Sequence, residues 1–324
     1  LKPGRERAVL RRHPWLFSGA IQELIGEPAP GDVLEVYDSQ GTWLARGAFS
    51  PHSQIRVRIW TWEQDETVDK PLLRRRILLA IERRDRLAAQ PGVSAYREVY
   101  AEADGLPGLI VDRYGEHRVV QFLASGVEAW REEITNILAG IGECRGLFER
   151  SGAEGRELEG LSPRAGLLWG EPPPQNHMIE EYGLRFFVDI SRGQKTGFYL
   201  DQRENRRTVQ RWLPGGQVLD AFAYTGGFTV AALAAGAAHV VSIDQSEHAL
   251  ALLRRNVELN VGDVGQCEWQ QKDVFTAMRS MRDASCAFDA IILDPPRFAQ
   301  TESQAQRAAR GYKDINLLAF KLLR

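Results

Sequence analysis

Cysteine is scarce: Cys144, Cys267 and Cys286 are the only three in 324 residues. Their odd number and spacing match neither a paired-cysteine metal site nor a disulfide framework. A cystine-stapled secreted fold is therefore excluded, a reducing cytoplasm is expected, and no metal is. Long apolar runs are also lacking. The stretches 218–223 and 229–238 fall far short of the roughly 18 to 20 residues that span a bilayer, and the N-terminal LKPGRERAVLRRHPW has no apolar signal core. No membrane partner is expected. Net basic charge is missing too, with 41 Lys and Arg against 43 Asp and Glu and a pI near 6.4. A uniformly basic nucleic-acid binder is ruled out, so any such contact must use local patches. Finally, no Gly-x-Gly-x-x-Gly run occurs, which disfavours an NAD-dependent oxidoreductase.

What is present is ordinary globular material, 44% hydrophobic and 26% charged, long enough for two or three domains. Residues 1–69 read as short strands, DVLEVYD, TWLARGAF and IRVRIWTW, separated by Pro-Gly, Ser-Gln-Gly and Ser-Pro turns. The spacing of Leu73, Ile77, Ile81 and Leu87 predicts a helix over 68–90. Residues 70–180 then form a small α+β domain, with strands near 97–101, 109–113, 118–123 and 146–150 and a helix over 128–139. Residues 151–175, rich in Gly, Pro and Glu, read as a connector, and IEEYGLRFFVDI as a hairpin turning at Tyr182-Gly183. The third domain is 181–324, where strands and helices alternate from about residue 200. Near-continuous apolar strands imply a parallel sheet covered by helices on both faces. The chain opens on Leu1 and stops at Arg324 inside the helix-like run INLLAFKLLR, so a fragment lacking further C-terminal strands is expected.

In such folds ligands bind beyond the carboxyl ends of the strands. Asp220, Asp244, Asp273 and Asp294 end four successive strand patterns. Asp220 leads into Thr225-Gly226-Gly227, where glycine permits a tight turn and close approach of a ligand. Asp244 comes 18 residues after Gly226, near the roughly 20 at which an acid meets ribose hydroxyls. A dinucleotide site wants three spaced glycines for its pyrophosphate. An acid beside a two-glycine turn suits S-adenosylmethionine instead, which carries an ammonium and a sulfonium and no phosphate.

KTGFYLDQR at 195–203, LDAFAYTGGFTVAAL at 219–233, SIDQS at 242–246, DPPRF at 294–298 and GYKDIN at 311–316 resemble the bacterial ribosomal RNA large subunit methyltransferase I family. LRRHPWLFSGAI, GTWLARGAFSPHSQIRVRIWT and ADGLPGLIVDRYG in the N-terminal half extend the resemblance over essentially the whole chain. It implies an α/β fold class: a Rossmann-like class I methyltransferase domain preceded by a β-barrel PUA domain and a middle α+β domain. It implies S-adenosylmethionine as cofactor, 23S rRNA as partner and 5-methylcytosine as product. Carried over by motif, Asp220 and the Thr225-Gly226-Gly227 turn line the methionine end of the cofactor. Asp244 takes the ribose hydroxyls, Asp273 approaches the adenine amine, and Phe198, Asp201 and Arg203 border the pocket. Asp201 has an alternative reading as a helix N-cap, paired with Arg203.

DPPRF follows the apolar AIILD, and two prolines give a rigid exit holding Asp294 and Phe298 at the sheet edge. Phe298 is expected to stack on a flipped base while Asp294, also a cofactor-pocket residue, accepts from the base's polar edge. Cytosine C5 becomes nucleophilic only after a thiolate adds to C6, so a cysteine is required. None of the three present falls at the expected end of the sheet, and the resemblance implies a nucleophile beyond Arg324. A guanine methyltransferase acting on 23S rRNA, which needs no thiol, and a non-catalytic cofactor- and RNA-binding module are the alternatives. Basic residues cluster in 1–20, 74–86 and 297–324; Arg11, Arg12, Arg74, Arg75 and Arg297 are the candidate RNA contacts. Trp15, Phe17 and Trp43 are expected in the core. A homodimer is left open.

Overall fold

The computed structural model describes residues 1–213, 215–262, 264–299 and 302–324, with only the backbone of Glu154. The chain forms two compact units, residues 1–175 with 189–198, and 176–188 with 199–324.

The first unit opens with α1 (Arg7–Leu10), β1 (Trp15–Phe17), β2 (Val33–Tyr37), β3 (Trp43–Phe49) and β4 (Ile55–Thr61), the strands pairing antiparallel in the order β1-β4-β3-β2. Val9, Leu16, Val36, Ala45, Phe49, Val57 and Ile59 fill its core. Next comes α2 (Lys70–Glu82), started by the Asp69 side chain accepting from the Leu72 N–H and by Pro71 in the first turn. After α3 (Asp85–Ala88) follow β5 (Ala95–Tyr100), β6 (Leu109–Tyr114), β7 (His117–Phe122), α4 (Ser125–Ala129), α5 (Arg131–Ala139), β8 (Gly146–Ser151), α6 (Ala153–Arg156) and β9 (Arg164–Gly170). The five strands pair in sequence order, β7 and β8 being parallel. Ala48 of β3 and Trp60 of β4 share a core with Leu72, Leu73 and Ile77 of α2. Buried Glu159 receives hydrogen bonds from Ser50, Arg58 and the Ser125 N–H, so a carboxylate excluded from water is satisfied by both parts.

Residues 189–198 are tied to the five-stranded sheet by polar side chains. Arg150 donates to the carbonyls of Ile190 and Gly193 at 2.5 and 2.6 Å. Thr196 donates to Asp112 at 2.6 Å, and the Phe198 N–H donates to the Tyr114 hydroxyl.

The second unit begins with the hairpin β10 (His177–Glu181) and β11 (Leu184–Val188). Tyr182 and Gly183 both have positive φ, 51° and 86°, the requirement of the two-residue turn whose twist matches its strands. Then come α7 (Arg203–Trp212), β12 (Gly216–Ala221), α8 (Gly227–Ala234), β13 (Ala237–Asp244), α9 (Glu247–Val261), β14 (Cys267–Gln271), α10 (Val274–Asp283), β15 (Ala290–Leu293) and α11 (Ala305–Leu322). The sheet is parallel, in the order β14-β13-β12-β15. Leu219, Val241, Ile243, Met278, Ile315 and Leu318 belong to the core between this sheet and α10 and α11.

Four sequence expectations change. The connector 151–175 contains α6 and β9; β9 is an edge strand, mostly exposed, so its run between Pro and Gly carries no apolar alternation. Trp15 and Phe17 are 37% and 49% exposed, because β1 turns only Leu16 inward and lies at the sheet edge; Trp43 is half-buried. The helices expected over 68–90 and 128–139 are each two pieces, α2 with α3 and α4 with α5. The terminal run leaves the helix after Leu322, and Leu323 bridges Phe288 in parallel.

Candidate active site

From β12 the chain steps outward through β13 to β14, then crosses to the opposite side of β12 as β15. The reversal makes a topological switch point at the carboxyl ends of β12 and β15, where doubly wound sheets open a crevice for ligands. Register fixes what lines it: Asp220 pairs with Ile292 and Ala221 with Leu293, so Asp294 leaves β15 beside the end of β12. Asp244 ends β13 on the other flank.

The turn after β12 is strained. Phe222 and Tyr224 hold φ of 66° and 49°, a conformation that costs an ordinary side chain about 1 to 2 kcal/mol. Hydrogen bonds hold it there: the Ala223 N–H donates to the Ile243 carbonyl, and the Tyr224 N–H to Asp244 Oδ2 at 2.9 Å. Gly226 has φ 81°, and a Cβ there would lie 2.6 Å from Leu253 Cγ. Gly226 caps α8, whose first residue is Gly227.

Asp220 is buried, and its Oδ2 accepts from the Thr229 hydroxyl at 2.6 Å. Oδ1 has no hydrogen-bond partner among the described residues, and neither does the buried Thr225 Oγ1. Burial pushes the Asp220 carboxyl up to about 7, against the Thr229 hydrogen bond and with the carboxylates of Asp294 and Asp244 adding to the rise. An orphaned carboxylate oxygen and an orphaned hydroxyl beside a glycine turn are what an ammonium-bearing ligand would satisfy. The residues present therefore fit S-adenosylmethionine. Asp244 Oδ1 accepts from the Ser246 N–H at 2.8 Å, which orients the carboxylate while lone pairs remain for ribose hydroxyls.

Asp273 is exposed and N-caps α10 through the Thr276 N–H, with the Gln245 amide at 3.0 Å on its other oxygen. Asp201 lies in a 3-10 turn, exposed; the N-cap of α7 is Gln202, not Asp201. Arg203 lies 3.9 Å from Glu204. Phe198 belongs to the first unit and is buried there. Sequence reasoning missed Tyr199, although it stands inside FYLDQR. Its ring meets Tyr224 edge-on at 5.4 Å. Burial raises its phenol pKa, and the charges of Asp294, Asp201 and Asp244 add to the effect, so three of the carboxylates named from sequence act on one phenol.

Phe298 is half-buried and already stacked. Its ring lies 4.4 Å from Tyr312 and 5.9 Å from Phe275, and its N–H donates to the Tyr312 hydroxyl. Cys267 opens β14 at the amino end of the sheet, buried, with its thiol pushed up to about 11 by burial. Cys286 precedes β15, and Cys144 lies in the first unit. None of the three stands at the carboxyl ends of the strands.

In the first unit Arg12 and Arg75 line one cavity of about 370 Å³ with Trp62, Arg76 and Arg83. Arg12 pairs with Glu63 and Arg75 with Glu66. Arg11 and Arg74 are exposed outside it; Arg297 is exposed in the second unit. Among the described residues no cluster of His, Cys, Asp or Glu could hold a metal, and no helix is long and apolar enough to cross a membrane.

Residues 162–316 match the family model of S-adenosylmethionine-dependent methyltransferases, and residues 1–62 that of PUA-like domains. The chain is 47% identical over 323 residues to the ribosomal RNA large subunit methyltransferase I of Aeromonas salmonicida, covering 100% of this chain and 82% of that one. The protein of the same name from Escherichia coli is 45% identical with the same coverage. A Streptococcus mutans structure assigned as an S-adenosylmethionine-dependent methyltransferase superposes with a TM-score of 0.84 at 23% identity, over 99% of this chain and 81% of that one. At that identity the likeness speaks for the fold alone.

Proposed function

Since the chain belongs to the ribosomal RNA large subunit methyltransferase I family, we propose that it methylates 23S rRNA, making 5-methylcytosine from S-adenosylmethionine in the cytoplasm. The observation that carries this reading is the convergence of Asp220, Asp244 and Asp294 on one strained glycine turn at the switch point of the parallel sheet. When bound, the cofactor supplies a methyl group on a positively charged sulfur.

The chain's own residues divide the work of binding. Asp220 and Thr225 offer buried acceptors to the amino-acid end, Asp244 receives the ribose hydroxyls, and Tyr199 excludes water between the carboxylates. Asp273, Asp201 and Arg203 complete the pocket. Asp294 accepts from the polar edge of the target base. Phe298, bedded on Tyr312 and Phe275, shapes the wall against which that base lies. The thiolate that cytosine chemistry requires is none of Cys144, Cys267 and Cys286; the proposal assigns it outside these residues. Arg11, Arg12, Arg74 and Arg75 on the first unit, and Arg297 on the second, track phosphates. The proposal divides the chain into a PUA domain over 1–69, a middle domain over 70–180 and a catalytic domain over 181–324.

The test is incubation of the protein carrying this chain with methyl-labelled S-adenosylmethionine and unmodified 23S rRNA, followed by digestion to nucleosides. Labelled 5-methylcytidine is expected. Label on guanosine, or none, overturns the cytosine reading. Sedimentation of the same preparation tests the homodimer.

A further inference from the structure

Behind Asp220 lies a line of hydroxyl and thiol groups that nothing in the proposed reaction uses. Thr229 on α8 donates from Oγ1 to Asp220 Oδ2 at 2.6 Å. Its Oγ1 lies 2.8 Å from Ser242 Oγ on β13, and Ser242 Oγ lies 3.7 Å from Cys267 Sγ on β14. The four groups cross three neighbouring strands, and all are buried, at 1%, 0%, 0% and 7% exposure. A cross-strand register sets the line up, Asp220 being paired with Ser242.

Each hydroxyl has one proton to give. Once Asp220 is ionised, above about pH 7, Thr229 gives its proton to the carboxylate, so toward Ser242 it can only accept. Ser242 then gives its proton to Thr229. Burial keeps the Cys267 thiol protonated up to about pH 11, and that proton has the Ser242 hydroxyl and the Glu268 carbonyl, at 3.9 Å, as acceptors. The two hydroxyls therefore both point their protons toward Asp220 Oδ2. That oxygen is satisfied from behind, and Oδ1, buried without a partner among the described residues, is left as the unsatisfied acceptor. The Thr229 hydroxyl and N–H both oppose the rise that burial causes; without the hydroxyl, a carboxyl at 1% exposure would keep its proton to still higher pH in place of a counter-cation.

We propose that Thr229, backed by Ser242 and Cys267, is a positioning residue that holds Asp220 as the acceptor for the ammonium of the cofactor's amino-acid end. The inference rests on the cofactor reading above and adds to it the residues that decide whether an amino-acid head is recognised.

The test compares two thioethers by calorimetry. S-adenosylhomocysteine carries the amino-acid head; 5′-methylthioadenosine keeps the adenosine and sulfur and lacks the head. The wild type is expected to prefer the former, and Thr229→Val to lose on the order of tenfold of that preference while its affinity for 5′-methylthioadenosine stays unchanged. Thr229→Ser, which restores the hydroxyl, recovers the preference. Ser242→Ala loses a smaller part of it and serves if the valine variant does not fold. Equal loss of affinity for both ligands, or no change in preference in either Thr229→Val or Ser242→Ala, overturns the inference while leaving the cofactor reading intact. A wild type that binds neither ligand overturns both.

Discussion

The backbone N–H of Tyr224 donates to Asp244 Oδ2 at 2.9 Å, tying a left-handed residue of the first strand's turn to the carboxylate that ends the second strand. The bond serves two ends: it holds the strained turn, and it aims Asp244 at the crevice. Asp244→Ala is expected to weaken S-adenosylhomocysteine binding roughly tenfold to a hundredfold, the worth of hydrogen bonds to a charged group. Calorimetry checks it, and unchanged affinity removes Asp244 from the pocket.

Gly226 has no room for a side chain. At φ 81°, with Leu253 Cγ 2.6 Å from the place of a Cβ, Gly226→Ala combines left-handed strain with overpacking and should cost roughly 2 to 4 kcal/mol. Urea unfolding of the variant, followed by far-ultraviolet circular dichroism, measures it; a loss below about 1 kcal/mol would contradict this packing.

Asp220 binds its proton more tightly in the folded chain than in the unfolded one, since burial lifts it to about 7 from 3.8. Between those values the folded state holds the extra proton, so this group's contribution to stability falls as pH rises from about 4 to 7 and is flat above. Asp294 and Asp244 push the same way, the Thr229 hydrogen bond opposes, and the Cys267 thiol keeps its proton throughout. Asp220→Asn should flatten the decline: its urea midpoint should change less between pH 5 and pH 8 than that of the wild type. Parallel profiles would show that Asp220 does not titrate in this range.

Tyr312 holds the loop after β15 through the hydrogen bond its hydroxyl accepts from the Phe298 N–H at 3.2 Å. Tyr312→Phe keeps the ring stack and removes the anchor. Methyl transfer to RNA is expected to slow roughly fivefold to tenfold, with S-adenosylhomocysteine affinity unchanged. Equal loss in both measurements would mean a general disturbance of the fold.

Arg11 and Arg74 are exposed. If each neutralises one phosphate, Arg11→Gln and Arg74→Gln should each lower the slope of log affinity against log salt by roughly 0.7 to 0.9. Filter binding to 23S rRNA fragments across a salt series reads the slope, and an unchanged slope removes that arginine from the interface. Arg12 and Arg75 are already paired with Glu63 and Glu66, so their substitution should change it less.

Local pattern by itself determined the parallel sheet, its helices, the Tyr182-Gly183 hairpin and the positions of Asp220, Asp244, Asp273 and Asp294 at or just past the carboxyl ends of their strands, because apolar periodicity and glycine are properties of neighbouring residues. It also carried the motifs that mark the family. It missed β9, whose exposed edge position leaves no alternation to read, and put Trp15 and Phe17 in the core when the edge strand β1 turns them outward. Only the tertiary structure decided which carboxylates meet. Strand order sets Asp294 beside Asp220, while Asp273, at the sheet edge, caps a helix. It alone brought Tyr199 among the acids, and lined up Cys267, Ser242 and Thr229 behind Asp220. Those contacts depend on strand register and on water being excluded, and both come from packing between segments far apart in the chain.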